Sequence, residues 1–290
     1  MPLQSAAVRL RAKLGAGSAI MAPGAYDALS ARLAAQAGFE AVYMTGFGVA
    51  GSTLGVPDVG LLSATEMADR ARAMAAACGP VPMIADGDNG HGGVLNVARL
   101  VKLYEAAEVA AIQLEDQVFP KRCGHMASKE VLDRFEAREK VAAAVEARRS
   151  PDFMVIARTD ARAVIGFEEA MLRAEDFAAA GADLLFIEAP QSLEEMREIA
   201  AHFRGKKLVA NMVEDGKTPY FPLDEVAELG FALILYPISA LLAVSRVLQT
   251  VFAGMRRDGK LSEDIPRQTF SGYNSLIGLD ELLPSATAKS

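Results

Sequence analysis

One short unit recurs along this chain and constrains its fold more than any other feature. A helix-like stretch ends at Gly or another small residue, and a short apolar run follows, as where Ala180-Gly181 precedes Leu184–Ile187. Glycine permits the left-handed backbone that ends a helix and reverses the chain. The runs are too short for helices and lack polar alternation, which is typical of strands covered on both faces of a parallel sheet.

Counting these apolar runs gives eight, with helical segments between them, such as the alanine-rich stretch from Leu132 to Arg148. Eight alternating strands and helices predict an α/β fold, a (β/α)₈ TIM-type barrel. A doubly wound open sheet is the alternative, but it usually carries a glycine-rich phosphate loop after its first strand, which this sequence lacks. The predicted strands lie near residues 19–22, 41–45, 82–86, 110–115, 153–158, 184–188, 207–211 and 232–236.

The 290 residues are predicted to form one domain, residues 1–290, with an N-terminal helix and a C-terminal helical extension over about 238–290. Ordinary proportions of apolar (51%) and charged (23%) residues exclude a disordered chain. The net charge of −7 argues against nucleic acid or an anionic membrane as a partner. The longest apolar run, Phe231 to Val244, falls short of the roughly 20 residues that span a bilayer. We therefore expect a cytoplasmic protein.

In such a barrel the active site lies at the carboxyl ends of the strands, so the residues that follow each run are informative. Asp86, Asp88 and Glu115 follow adjacent strands and converge. Like charges repel unless a cation neutralises them, and Mg²⁺ prefers such carboxylate ligands. This pattern predicts a metal site, although Asp-Gly-Asp-Asn-Gly is also a turn-forming run.

Arg158 ends an apolar strand, a costly place for an unpaired charge. Its position fits two roles equally well. The first is an ion pair with Asp160, Glu188 or another acid nearby. The second is a bidentate clamp for a substrate carboxylate.

The stretch after the fourth strand surrounds Cys123 with three cationic or titratable residues, Lys121, Arg122 and His125. Neighbouring cations lower the pKa of a thiol and make its proton available for acid–base chemistry. Glycine beside it, at Gly124, permits loop movement. Cys78, at the end of an alanine-rich helix, is predicted to be a buried and inert thiol.

The sequence Lys121-Arg122-Cys123-Gly124-His125 resembles the signature of the isocitrate lyase and phosphoenolpyruvate mutase superfamily. The resemblance covers nearly the whole chain. Further matching motifs are Ala25-Tyr26-Asp27, Gly55-Val56-Pro57-Asp58, the Asp86 and Asp88 loop, Leu114-Glu115-Asp116-Gln117, Ala157-Arg158-Thr159-Asp160, Glu188-Ala189-Pro190, Ala210-Asn211-Met212, Gly216-Lys217-Thr218-Pro219 and Tyr236-Pro237.

The resemblance implies a homotetramer, a dimer of dimers with a swapped C-terminal helix, that binds a dicarboxylate or phosphonate. It implies Mg²⁺, with Mn²⁺ as an alternative, at Asp86, Asp88 and Glu115. It implies an enolate intermediate, whose charge a metal and backbone donors stabilise. The residues assigned to catalysis on this basis are Cys123, Tyr43, Lys121, His125 and Glu188, and those assigned to substrate binding are Thr45, Gly46, Phe47, Asp58, Gly124, Arg158, Asn211, Met212 and Pro237.

The branch of the family follows from departures from its pattern. Methylisocitrate lyases carry two arginines for a third carboxylate where this chain has Leu242 and Phe270, and oxaloacetate hydrolases usually carry a hydroxyl residue where it has Pro237. We therefore predict a Mg²⁺-dependent carbon–carbon lyase acting on an alkylmalate or dimethylmalate. The alternatives are carboxyphosphonoenolpyruvate phosphonomutase chemistry, a methylisocitrate lyase and an oxaloacetate-acting relative. A non-catalytic barrel is disfavoured because no catalytic residue is missing.

Overall fold

The computed structural model describes residues 4–121 and 129–283. Within them, eight parallel strands form a closed barrel in chain order, and β8 pairs with β1. This closure confirms the predicted (β/α)₈ class and excludes the open sheet. The strands are β1 (Ile20–Ala25), β2 (Val42–Met44), β3 (Met83–Asp86), β4 (Ala111–Glu115), β5 (Met154–Thr159), β6 (Leu184–Ile187), β7 (Lys207–Asn211) and β8 (Leu233–Tyr236).

Helices connect the strands, and side-chain caps define where several of them begin. Asp27 and Ser63 each form a capping box at a helix N-terminus, which satisfies otherwise unpaired backbone N–H groups. The helices are α1 (Ala6–Gly15), α2 (Ala28–Gln36), α3 (Gly46–Leu54), α4 (Ala64–Cys78), α5 (Val94–Ala106), α6 (Arg134–Ala147), α7 (Ala161–Val164), α8 (Phe167–Ala179), α9 (Leu193–His202), α10 (Leu223–Glu228), α11 (Ser239–Asp258), α12 (Phe270–Leu276) and α13 (Leu279–Leu282).

The hydrophobic core has two layers. Inward-facing strand residues such as Ile84, Ile156 and Phe186 fill the barrel, and Leu10 and Leu14 of α1 join the same cluster. Helix α1 thereby closes the N-terminal end of the barrel. A second, larger cluster lies between the strands and the surrounding helices. The buried strands therefore bury apolar side chains on both faces, as their continuous apolar pattern predicts.

Gly24 allows the first strand to extend beyond its predicted end at residue 22. A Cβ atom at this position would lie 1.9 Å from the backbone oxygen of Pro237. Only glycine permits so close an approach of two backbones. The continuation of β1 to Ala25 is thus a tertiary effect, which the apolar run by itself did not indicate.

The chain divides into two compact units, Met1–Leu241 and Leu242–Ser290. The first contains the barrel. The second contains most of α11, together with α12 and α13. The prediction of a single domain over residues 1–290 stays a prediction. In the part of the chain that the structure describes, no helix combines the length and apolar character needed to cross a membrane.

Candidate active site

A cavity of about 270 Å³ lies at the carboxyl ends of the barrel strands. Every strand from β2 to β8 contributes a side chain, either from its last residues or from the loop that follows it. The predicted site residues that line this cavity are Tyr43, Thr45, Phe47, Asp58, Asp86, Glu115, Lys121, Arg158, Glu188, Asn211 and Pro237.

Asp86 and Asp88 direct carboxylate oxygens toward one point beside Gly46. The backbone N–H of Gly46 donates to Asp86 Oδ2 at 3.2 Å. A Cβ atom on Gly46 would lie 2.7 Å from Asp86 Oδ2 and 3.1 Å from Asp88 Oδ1. Glycine at position 46 therefore keeps the space between the two carboxylates open.

Lys121 places its ammonium group among these acids. Its Nζ lies 2.6 Å from Asp58 Oδ1 and 2.7 Å from Asp88 Oδ1. Burial alone would lower the pKa of Lys121, but the charges of Asp88 and Asp58 hold that pKa well above its ordinary value. Lys121 therefore stays protonated and supplies fixed positive charge rather than a base.

The donor set suits a hard divalent cation. Burial, and next the charge of Asp88, raise the pKa of Asp86 to about 6, because together they outweigh the positive charges of Lys121 and Arg158. Glu115 Oε1 is buried without a hydrogen-bond partner among the described residues. No group of three or more His, Cys, Asp or Glu residues in ranges 4–121 and 129–283 forms a complete metal cage. Because Mg²⁺ commonly uses one or two carboxylates and several waters, Asp86 and Asp88 fit this ion without such a cage.

Arg158 leaves the end of β5 and forms the ion pair that is the first of the two roles predicted for it. Its guanidinium donates two hydrogen bonds to the Asp160 carboxylate, at 2.9 and 3.0 Å. It also lies 3.5 Å from Glu115 and 3.7 Å from Glu188, and over the ring of Phe186 at 5.2 Å. The ion pair is thus observed, and the same side chain still lines the cavity.

Tyr43 and Asn211 add neutral polar groups to the cavity wall. Burial, and next the charge of Asp86, raise the pKa of Tyr43 well above its ordinary value. The phenol therefore keeps its proton and can act as a hydrogen-bond donor. Asn211 Nδ2 donates to Glu188 Oε1 at 3.3 Å, while Asn211 Oδ1 is buried and accepts no hydrogen bond from the described residues.

Not every predicted site residue lines the cavity. Met212 is fully buried in the outer core, because it follows the inward-facing Asn211 and successive strand residues point to opposite faces. Gly46 and Asp88 act on the site through their contacts with Asp86 and Lys121. The predicted residues Cys123, Gly124 and His125 lie outside the described residues.

Further cavity residues come from the loops after β7 and β8, which sequence reasoning did not assign. The rule that catalytic groups follow strand ends could have found them, because they come directly after Asn211 and Pro237. They are Val213, Glu214, Asp215, Gly216 and Ile238.

Acids, an arginine and a phenol gathered at the carboxyl end of a closed parallel barrel define the active-site end of a (β/α)₈ enzyme. The phosphoenolpyruvate phosphomutase family model matches residues 10–256. The chain belongs to the phosphoenolpyruvate mutase and isocitrate lyase superfamily, as its motifs predict.

Individual relatives cover nearly the whole chain. It is 44% identical over 277 residues to the 2,3-dimethylmalate lyase of Eubacterium barkeri, covering 95% of each chain. It is 42% identical over 265 residues to a carboxyvinyl-carboxyphosphonate phosphorylmutase of Arabidopsis thaliana, covering 90% of this chain and 78% of the relative. A crystal structure of 2,3-dimethylmalate lyase superposes with a TM-score of 0.94 at 38% identity, covering 100% and 97% of the two chains. The predicted enzyme class, a carbon–carbon lyase of this superfamily, is confirmed.

Proposed function

We propose that this enzyme cleaves a 2-hydroxy dicarboxylate of the alkylmalate or dimethylmalate type into pyruvate or a related oxo acid and a carboxylate. The composition of the cavity is the observation that carries this proposal. Phe47, Val213 and Ile238 provide an apolar wall for an alkyl substituent, and Arg158 provides an anchor for a carboxylate.

The site residues have two kinds of role in the reaction, substrate recognition and proton transfer. Arg158 binds one substrate carboxylate, and Thr45, Gly46 and Phe47 bind the part that becomes the oxo acid. Asp86 and Asp88 would hold Mg²⁺, and that ion would supply positive charge for the substrate oxygens. The remaining contacts to substrate come from Asp58, Gly124, Asn211 and Pro237, and Glu115 would complete the metal shell, whereas Met212 packs in the outer core and takes no part.

The chemical step is a retro-aldol cleavage. Glu188 accepts the proton of the 2-hydroxyl group, and the phenol of Tyr43 donates a hydrogen bond to that oxygen. The C2–C3 bond breaks, its electron pair passes to C3 and the adjacent carboxylate, and a C2=O bond forms. Cys123 returns a proton to C3, assisted by His125, while the cationic Lys121 offsets negative charge.

Two acidic residues favour a dicarboxylate over a tricarboxylate. Glu214 and Asp215 line the cavity, and a third substrate carboxylate would meet them rather than a free cation of the described residues. Leu242 and Phe270 stand where methylisocitrate lyases carry arginines. Burying an unpaired carboxylate is costly, so a tricarboxylate should bind poorly.

A substrate panel tests this proposal. The protein is mixed with Mg²⁺ and malate, 2-alkylmalates, 2,3-dimethylmalate or methylisocitrate, and the oxo acid released is measured, which is pyruvate where C2 carries a methyl group and glyoxylate for malate. We expect pyruvate from an alkylated malate and at least a hundredfold lower kcat/KM for methylisocitrate. Pyruvate from methylisocitrate but from no malate would contradict the dicarboxylate proposal.

Phosphonate chemistry is the second candidate, because a phosphorylmutase relative is 42% identical. Such an enzyme would form a P–C bond instead of cleaving a C–C bond. This candidate would be favoured over the lyase if no hydroxy acid is cleaved and carboxyphosphonoenolpyruvate is converted. Conversion is followed by ³¹P NMR.

The assembly belongs to the same proposal. Within the second unit, α11 exposes Leu242, Val247, Leu248, Phe252 and Met255, an apolar set suited to burial against another copy of the chain. We expect a homotetramer with an exchanged C-terminal helix, and Phe252→Glu should shift the mass measured by light scattering to a smaller species. An unchanged tetramer would contradict this role. A cytoplasmic location stays part of the proposal, and cell fractionation tests it.

A further inference from the structure

Lys129 is a buried lysine that does not line the cavity. Its side chain is 2% exposed, and its Nζ donates to Asp160 Oδ1 at 2.6 Å. An antiparallel bridge between Gln117 and Val131 holds the neighbouring backbone after β4. Burying an ammonium group is costly unless an anion compensates it, so this pair fixes where Lys129 and Asp160 lie.

The same carboxylate also holds Arg158. Asp160 Oδ2 accepts from Arg158 Nε at 2.9 Å, and Oδ1 accepts from Arg158 Nη2 at 3.0 Å as well as from Lys129. One carboxylate therefore serves two cations. Burial would raise the pKa of Asp160, but the charges of Arg158 and Lys129 hold that pKa well below its usual range, so Asp160 is ionised.

Lys129 affects the cavity through the balance of charge around Arg158. Among the described residues, the guanidinium lies within 4 Å of Asp160, Glu115 and Glu188. Excess negative charge beside a guanidinium opposes the approach of another carboxylate. Lys129 offsets the charge of Asp160, one of these three acids, and neither Lys129 nor Asp160 lines the cavity.

We propose that Lys129 is a positioning residue that neutralises Asp160 and thereby keeps Arg158 available to bind a substrate carboxylate. The inference rests on the carboxylate-binding role of Arg158 in the proposed function. It predicts that the effect of Lys129 depends on the negative charge of Asp160. A merely structural lysine would change the stability of the protein without this dependence.

Oxalate serves as the probe, because it carries carboxylates and its binding does not require turnover. Titration calorimetry is carried out at saturating Mg²⁺ with the wild type and Lys129→Met. We expect Lys129→Met to weaken oxalate binding about tenfold, a loss of one charge-assisted partner in the network. With a turnover substrate, KM should rise while kcat changes less than about threefold.

Two variants separate charge from structure. Lys129→Arg retains the positive charge and should bind oxalate within about threefold of the wild type. The double variant K129M/D160N removes both charges, and it should bind oxalate more tightly than K129M does. If the uncompensated charge of Asp160 makes K129M unfold, the double variant, which lacks that charge, is used in its place. Its oxalate affinity is then compared with that of D160N alone.

The control is Arg148→Met, which breaks a half-buried ion pair with Asp183 at 2.7 Å on the other side of the strands. It should lower the melting temperature without changing oxalate affinity. Arg158→Met should abolish most of the oxalate affinity.

Several outcomes would overturn the inference. The first is unchanged oxalate affinity in K129M or in R158M. The second is a loss of oxalate affinity in the double variant equal to the sum of the losses in K129M and D160N. The third is no oxalate binding by the wild type. Failure of the proposed function reads differently, since Lys129-dependent oxalate binding without turnover of any malate would reject the substrate and retain the role of Lys129.

Discussion

The two ends of the barrel differ in how fully their carboxylate oxygens are paired. At the N-terminal end, Asp183 Oδ1 accepts from Arg11 at 2.8 Å, and Oδ2 accepts from Arg148 at 2.7 Å and from the N–H of Val155 at 3.0 Å. At the C-terminal end, Glu115 Oε1 is buried without a partner in the described part of the chain. Fully paired carboxylates fix the fold, whereas a buried carboxylate oxygen without a partner leaves capacity for a ligand.

The cavities at the two ends differ in the same way. The N-terminal cavity is larger, about 480 Å³ against about 270 Å³. The carboxylate of Glu105, which lines it, already accepts 2.9 Å hydrogen bonds from the backbone N–H groups of Arg149 and Ser150. Arg9 Nε, which also lines the N-terminal cavity, is buried without a partner among the described residues. Convergence of acids and cations from the strand ends, rather than volume, therefore identifies the site.

Asp88→Ala should produce the largest effect and separates the two ends most clearly. Loss of a metal-binding carboxylate should lower kcat/KM more than about 10³-fold and abolish the response to Mg²⁺. Stability should fall as well, because Asp88 forms a buried ion pair with Lys121 at 2.7 Å and its backbone has a left-handed φ of 49° that alanine disfavours. Steady-state kinetics at varied Mg²⁺ and thermal unfolding measure both. Retained Mg²⁺-dependent activity would discredit the proposed metal site.

Cys123→Ser should lower kcat about 10³-fold, because general acid catalysis contributes roughly 10²–10⁴-fold, while oxalate binding remains. Cys78→Ser is the matched control. Cys78 is 2% exposed, and burial raises the pKa of its thiol to about 12. Iodoacetamide at pH 8 should therefore spare Cys78 in the folded protein. Full turnover in Cys123→Ser would exclude Cys123 as the acid.

Gly46→Ala should lower Mg²⁺ affinity about a hundredfold, because the new methyl group would lie 2.7 Å from Asp86 Oδ2. The neighbouring variant Gly51→Ala is the control, since nothing lies within 4 Å of a Cβ atom at that position. Metal titration followed by activity and by calorimetry compares the two. Equal affinities would show that the acid cluster tolerates a side chain there.

Asp183→Ala should affect stability at the N-terminal end and leave catalysis alone. Removing the shared partner of Arg11 and Arg148 should lower the free energy of unfolding by about 2–3 kcal/mol. Urea unfolding measures that loss, and kcat of the folded protein should change less than about twofold. A large fall in kcat with unchanged stability would reverse the comparison.

The last prediction concerns how the stability of the metal-free protein depends on pH. Because the pKa of Asp86 rises to about 6 in the folded state, the folded protein binds more protons than the unfolded chain between about pH 4 and 6. Its stability should therefore fall as pH rises through this window, by about 3 kcal/mol in total. Asp86→Asn should lack this component when unfolding is measured in EDTA. Identical pH profiles would contradict the assigned burial cost.

The strands and the site residues were predicted from different kinds of sequence pattern. The strands could be found locally, because continuous apolar runs after Gly-ended helices report burial on both faces. Asp86, Glu115 and Arg158 could also be found, because parallel strands bring their carboxyl ends to one edge. Met212 could not be separated from Asn211 in this way, because inward and outward positions differ by a single residue.

Ion pairs between residues that are distant in sequence could not be predicted from the sequence pattern. The position of Lys121 predicts a cation near a thiol, yet its ammonium group lies against Asp58, which is 63 residues away in sequence. Lys129 and Asp160 form a pair across 31 residues. Spacing along a chain does not specify such pairs, because they arise only when separate strands close into a barrel.

The opening pattern of eight short apolar runs determined the barrel, and the residues after each run determined the chemical character of one end. The sequence alone also determined the family, through motifs spread over nearly the whole chain. Only the tertiary structure decided which charges are paired and which remain available. The physical reason is that burial and Coulomb interactions depend on distances between strands, so the pKa of Asp86 and the surroundings of Arg158 exist only in the closed barrel.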